Sequence, residues 1–317
     1  MIIKEKLRTD AMEQTFWLTM EDETDIFIRK WAPDHSEIPR AIVQLSHGMV
    51  EHIGRYDAFA RFLTSNGFIV YGNDHRGHGL TGEKQGLLGH FADEDGFVKT
   101  SDDLSVITEY IQEEHPNVPI FLFGHSMGSF LARHLIQTNS DAYKGVVLSG
   151  TGFHTETAAR FAKNLAEVLP AKNESKLLNK LVFGSYNRKI PGNKTTFDWL
   201  SRDKTAVQAF IDDPLTGAIP TAKFFHDLMT GLEMIHNRSR NQMIRKDLPM
   251  LIVSGDADPV GHYETGVWKT AELYTEAGLN DVMTMLFEDA RHELLQETNH
   301  QDVYEAMLRW FNLVLDS

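Results

Sequence analysis

Residues 119–138 of this 317-residue chain restrict its fold more than any other stretch. Pro119-Ile120-Phe121-Leu122-Phe123 is a short apolar run behind a proline, which reads as a buried strand. Downstream, Leu131/Leu135 and Ala132/Ile136 recur at i,i+4 spacing and predict a helix over 128–138. Between them stands Gly124-His125-Ser126-Met127-Gly128. A strand that turns straight into a helix through Gly-x-Ser-x-Gly is a nucleophile elbow. The serine is held in a strained conformation that lifts its hydroxyl over the sheet edge. The flanking residues must lack side chains so that strand and helix can approach. The helix N-terminus then points backbone N–H groups at any negative charge that forms there. Ser126 is the expected nucleophile.

A serine nucleophile needs a base, and the base needs an orienting carboxylate; in a fold of this kind they follow the serine in the order acid, then histidine. The acid should end a later strand. Pro249-Met250-Leu251-Ile252-Val253-Ser254-Gly255 is the best strand of the C-terminal third, and Asp256-Ala257-Asp258 follows at once. Both carboxylates are candidates and both suit a turn; Asp258 is preferred, with Asp256 nearer the turn. The next strand, 282–287, leads into Asp289-Ala290-Arg291-His292-Glu293. Of the 15 histidines, His262 comes too soon after the acid and His300 is expected to start the final helix, which leaves His292 as the base. The oxyanion needs two backbone N–H groups, one from the residue after the nucleophile and one from the loop after an earlier strand. Met127 supplies the first. Strand 41–46 runs into His47-Gly48-Met49, where Gly48 permits a turn that aims the Met49 N–H into the site.

His47-Gly48-Met49-Val50-Glu51-His52-Ile53-Gly54-Arg55-Tyr56 resembles the His-Gly-x-x-Glu-His-x-x-Arg-Tyr segment of the monoacylglycerol lipase and lysophospholipase family. Asp74-His75-Arg76-Gly77-His78-Gly79-Leu80-Thr81 is similar to the Asp-x-x-Gly-His-Gly-x-Ser of the same family, with Thr81 in place of serine. The elbow matches as well, although Ser129 stands where a third glycine is usual. Gly255-Asp256-Ala257-Asp258 resembles the family's Gly-x-x-Asp and independently favours Asp258. The match spans about two thirds of the chain in the right order and omits residues 152–241. The resemblance implies an α/β-hydrolase fold and a serine carboxylester hydrolase acting on single-chain lipid esters, monoacylglycerol or lysophospholipid. Amide or peptide hydrolysis, as in proline-type aminopeptidases of this fold, and hydrolysis of small non-lipid esters are the alternatives.

Around the elbow, strands and helices alternate. After a hairpin-like pair at 14–20 and 25–31 come strand 41–46, helix 55–65, strand 68–72, helix 97–115, the elbow strand and helix, and strand 145–149. This rhythm predicts a mostly parallel central sheet with helices on both faces. It stops at Gly150-Thr151-Gly152 and resumes at 249. The stretch between shows helical spacing only, with Phe161, Leu165 and Leu169, then Leu177/Leu178 and Leu181/Val182. A helical insert above the C-terminal edge of a sheet reads as a lid. The expected organisation is therefore a core of residues 1–151 and 242–317 with a lid at 152–241. Of the lid aromatics Phe153, Phe161, Phe183, Trp199, Phe210, Phe224 and Phe225, most should form lid core and two or three a tunnel for an acyl chain.

A chain of this length with 42% hydrophobic residues can bury a large core. It contains no cysteine, which points to the cytoplasm; the N-terminus lacks a signal-peptide stretch, and no run approaches a membrane span. Charge is unevenly spread. The net charge is −14, yet residues 152–241 carry 13 basic and 9 acidic side chains, with Lys172, Lys176, Lys180, Arg188, Lys189 and Lys194 facing only Glu174. Such a face is either simply solvated or meets an anionic lipid surface while the acidic body stays in water. The acidity elsewhere argues against nucleic acid. No cofactor and no metal is expected: His47, His52, His75 and His78 fit no compact ligand spacing.

Overall fold

The computed structural model describes residues 2–10, 13–33 and 39–317. Among these, nine strands form one sheet: β1 (Ile2–Asp10), β2 (Glu13–Thr19), β3 (Asp25–Trp31), β4 (Ala41–Ser46), β5 (Phe68–Asn73), β6 (Ile120–His125), β7 (Gly145–Ser149), β8 (Met250–Gly255) and β9 (Val282–Phe287). Their order is β1-β2-β3-β5-β4-β6-β7-β8-β9. The β1 to β3 meander is antiparallel and joins β5 antiparallel; every pairing from β5 to β9 is parallel. Strand β1 is not expected from the sequence, because charges at Lys4, Glu5, Lys6 and Arg8 break the apolar pattern. An edge strand tolerates such charges.

Four helices accompany the first strands: α1 (Asp57–Ser65), α2 (Gly79–Gln85), α3 (Gly96–Glu114) and α4 (Met127–Asn139). Between β7 and β8 lie α5 (Glu156–Glu167), α6 (Lys176–Phe183), α7 (Lys204–Asp212), α8 (Ala222–Ile235) and α9 (Arg238–Asn241). The C-terminal part adds α10 (Thr265–Glu276) and α11 (His300–Asp316). The helix expected over 55–65 is a 3-10 turn, Ile53–Tyr56, followed by α1. Neither α2, which has glycines at 79 and 82, nor α10 stood out in the sequence. The stretch expected to be helical throughout contributes no strand to the sheet among the described residues; it holds one isolated bridge, Glu174 to Thr221.

Alternation along the parallel strands divides the interior in two. Ile42, Leu122, Leu148 and Ile252 face one side and pack on Leu104 of α3, Leu131 of α4, Leu228 of α8 and Tyr274 of α10. Val43, Phe123, Val147 and Val253 face the other and meet Phe59 of α1 and Met307 and Phe311 of α11. Helix α4 is buried along nearly its whole length from Met127 to Gln137, which fixes the residue that precedes it.

Candidate active site

Ser126 sits between β6 and α4 with φ 53° and ψ −120°. A positive φ is costly for a residue with a side chain and persists only where the surroundings enforce it. Here its N–H is held by the Ser149 carbonyl at 2.8 Å, and its own carbonyl accepts from Ser129 N at 2.9 Å and Ser129 Oγ at 2.5 Å. The unusual Ser129 thus ties down the elbow. A methyl group on Gly124 would stand 2.4 Å from the Gly128 carbonyl oxygen, and one on Gly128 2.1 Å from that of Ser46. Both positions therefore exclude any side chain.

The candidate acid and base come together 34 residues apart in sequence. His292 Nδ1 lies 2.8 Å from Asp258 Oδ2; Asp258 is fully buried, and its Oδ1 accepts from the Val260 N–H at 2.8 Å. Asp256 is half-buried and makes no side-chain hydrogen bond among the described residues. His300 begins α11 as expected, and His262 packs near His154 instead. The His292 ring is clasped between His125, 4.7 Å away centroid to centroid, and Trp199, 4.9 Å away. Burial alone would lower its pKa, but the Asp258 carboxylate, then Glu293 and Glu51, outweigh burial and hold it above the ordinary histidine value. His125 goes the other way, to about 3, because burial and the neighbouring His292 both oppose its charge.

Ser126, His292, Gly48 and Met49 line one cavity of about 460 Å³. Its walls include Val50, Phe183, Phe197, Trp199, Leu200, Phe210 and Ile219. Three of the seven aromatics named from the sequence in 152–241 are therefore in the wall. Phe224 and Phe225 are core, and Phe161, the first member of the 161/165/169 spacing, is 69% exposed. Met127 is buried behind Ser126. Among the described residues, neither the Met49 nor the Met127 N–H has an acceptor, which leaves two backbone donors beside the serine.

Several neighbours have tasks that the sequence did not announce, although Glu51 and Arg55 stand in the first motif. Glu51, Arg55 and Glu293 form a buried ion-pair chain beside the cavity, with Arg55 2.6 Å from each carboxylate. Glu297, fully buried, accepts from the N–H groups of Arg291 and Arg202 and from the Arg202 Nε. The loop bearing His292 is also stitched to residues 198–203. Glu293 N–H donates to the Leu200 carbonyl at 2.7 Å, and Arg291 Nη1 to those of Asp198 and Ser201. Asp74, in the second motif, accepts from the N–H groups of Ile53 and Leu80 and so joins the two motifs; Thr81 Oγ1 accepts from Phe27.

His47, His75 and His78 cluster beneath this loop, while His52 stands apart on Asp213. Among the described residues, no group of three or more His, Asp or Glu side chains is placed to hold a metal ion. Burial pushes His47 and His75 well below the ordinary value, His78, His134 and His154 to about 4, and His236 to about 3. With His125 that makes seven groups which the unfolded chain protonates first, so their contribution to stability is lost as pH falls from about 6.5 toward 4. Asp74 and Asp103, raised by burial to about 6, and His292 act in the opposite sense. The urea midpoint is expected to collapse between pH 6 and 5; a midpoint flat across that range would show that these histidines are not held neutral.

A family model described as serine aminopeptidase, S33, matches residues 37–299. Mouse monoglyceride lipase is 29% identical over 283 residues, covering 88% of this chain and 84% of that protein. A monoacylglycerol lipase of Mycolicibacterium smegmatis is 28% identical over 282 residues, 88% of this chain and 90% of that one. Among solved structures, a thermostable carboxyl esterase of Bacillus coagulans in complex with glycerol aligns with a TM-score of 0.88 at 26% identity, over 96% of this chain and 100% of the other. A soluble variant of Saccharomyces cerevisiae monoglyceride lipase, in complex with a substrate analog, aligns at 0.75 over 98% of both chains. At 18% identity the latter likeness carries the fold alone.

Proposed function

The chain belongs to the serine aminopeptidase S33 family, has the α/β-hydrolase fold and is a serine hydrolase of the carboxylesterase/lipase type; on that premise we propose that it hydrolyses single-chain lipid esters, monoacylglycerol or lysophospholipid, with Ser126, His292 and Asp258. His292 takes the Ser126 proton as the hydroxyl attacks the ester carbonyl. Asp258 fixes the imidazole tautomer and stabilises its charge. The Met49 and Met127 N–H groups receive the oxyanion, and water then cleaves the acyl-enzyme with His292 again as base.

The observation that carries this reading is the single cavity in which an aromatic and aliphatic wall ends at Ser126 and His292. Aminopeptidase chemistry, the other reading, needs a carboxylate free to hold a substrate α-amine. The two acids lining the cavity, Glu51 and Glu293, are both bound to Arg55. Rates on p-nitrophenyl esters should therefore rise with acyl length from acetate toward medium chains, while amino-acid naphthylamides stay uncleaved. A flat profile would favour small non-lipid esters, and naphthylamide turnover would favour the peptidase.

Residues 152–241 then act as the lid, with part of their outer face against lipid. Leu177 and Leu181 are 52% and 55% exposed and lie on α6 beside exposed Lys176 and Lys180. Two basic residues named from the sequence are engaged within the protein: Lys172 pairs with Asp93 at 2.7 Å, and Lys189 lies over the Tyr263 ring. Lys176, Arg188 and Lys194 make no ion pair among the described residues. At about 1 kcal/mol for each cation near an anionic surface, these three would favour anionic over neutral vesicles by roughly a hundredfold at low salt, less the repulsion of the acidic body. Changing all three to glutamate should abolish the preference and leave a soluble short-chain ester unaffected; equal rates on both vesicles at low salt would show a merely solvated face. Among the described residues no helix is long and apolar enough to cross a membrane, and a cysteine-free chain suits the cytoplasm, which we include in the proposal.

A further inference from the structure

The two peptide groups on either side of Gly48 are both pinned, and from opposite sides. His47 Nε2 faces the His75 N–H at 3.0 Å and must accept, so the ring proton is on Nδ1. That proton is donated to the Gly48 carbonyl at 2.7 Å. In a trans peptide the C=O and the following N–H point in opposite directions, so this bond turns the Met49 N–H away from the histidines. On the other side, the Gly48 N–H donates to Glu51 Oε1 at 2.6 Å. The loop lies against the nucleophile: a methyl group on Gly48 would stand 3.3 Å from Ser126 Cβ.

Glu51 is itself over-determined. Tyr56 Oη donates to its Oε1 at 2.9 Å and Arg55 Nη1 to its Oε2 at 2.6 Å. The Arg55 fork also grips both Glu293 oxygens, at 2.6 and 2.7 Å, and Phe210 covers the guanidinium. Glu293 directly follows His292. Two carboxylates and one guanidinium, nearly all buried, are a poor way to stabilise a fold, because desolvation offsets most of their attraction. Their position beside Ser126 and His292 calls for another purpose.

We infer that Glu51 is a positioning residue of the reaction centre: it holds Gly48 so that the Met49 N–H faces the cavity, and through Arg55 it ties this loop to Glu293 beside the base. The inference rests on the serine-esterase reading above. An interaction realised only as the oxyanion forms lowers kcat and leaves substrate binding nearly untouched.

The test compares kcat and KM on a p-nitrophenyl ester with the affinity of an alkyl trifluoromethyl ketone, whose hemiketal oxygen occupies the oxyanion position. Glu51→Ala should lower kcat on the order of a hundredfold, as loss of one oxyanion donor does, with KM changed less than about threefold. Ketone affinity should fall by the same factor. Glu51→Gln keeps an acceptor for the Gly48 N–H and should recover most of the loss. Should Glu51→Ala fail to fold, Tyr56→Phe, which removes one bond to the carboxylate, should show a smaller drop with the same proportionality. A kcat loss with unchanged ketone affinity, or full activity in Glu51→Ala, overturns the inference. Failure of the underlying reading shows separately, as wild-type protein that a fluorophosphonate does not label.

Discussion

Ser126→Ala should fold normally and lose ester hydrolysis by several orders of magnitude, up to about 10⁶-fold by the serine-protease precedent. Folding is spared because Ser126 Oγ makes no hydrogen bond among the described residues. The backbone bonds that enforce its positive φ do not involve the hydroxyl. A fluorophosphonate should label the wild-type chain and not the variant, and the two melting curves should coincide. More than a hundredth of wild-type activity in the variant would remove Ser126 from the mechanism.

The second large effect separates two neighbouring carboxylates. Asp258→Asn should cost roughly 10⁴-fold in kcat, because an amide cannot hold the Nδ1–H tautomer of His292 or stabilise its positive charge. Asp256→Asn should cost little, since that half-buried side chain makes no hydrogen bond among the described residues. The variant at 258 also alters the acceptor of the Val260 N–H, so its melting temperature should be measured alongside. The opposite ranking would assign the acid to Asp256, and equal losses would mean that both residues merely shape one turn.

The elbow, the two candidate acids and the candidate base stood out in the sequence because each follows a strand whose apolar run is unmistakable. The edge strand β1 was not, since an edge need not be apolar. Within the motifs, the letters were visible but the tasks were not: Thr81 and Asp74 tie backbone segments together, and no spacing rule announces that. The contact of Trp199 with the His292 ring and the part played by Glu297 lay beyond reach. Trp199 reaches the His292 ring only through tertiary packing, and Glu297, which accepts the N–H of nearby Arg291, also binds Arg202 across 95 residues of chain. Phe161 shows the converse failure: its i+4 partners Leu165 and Leu169 pack inward as the spacing implies, yet the first member of the stripe points to solvent.

The stitching of residues 198–203 to the loop that carries His292 also sets the seams along which this enzyme could be recombined. A chimera that imports another enzyme's roof with joints at 152 and 241 would discard the Leu200 carbonyl and the Trp199 ring that hold the imidazole in place. Joints at about 153 and 197 exchange Asn179, Lys180, Phe183, Asn187, Thr196 and Phe197 of the cavity wall while leaving those supports with the scaffold. Part of the cavity wall can thus be exchanged apart from the supports of the His292 loop, and the border between them falls just before Asp198.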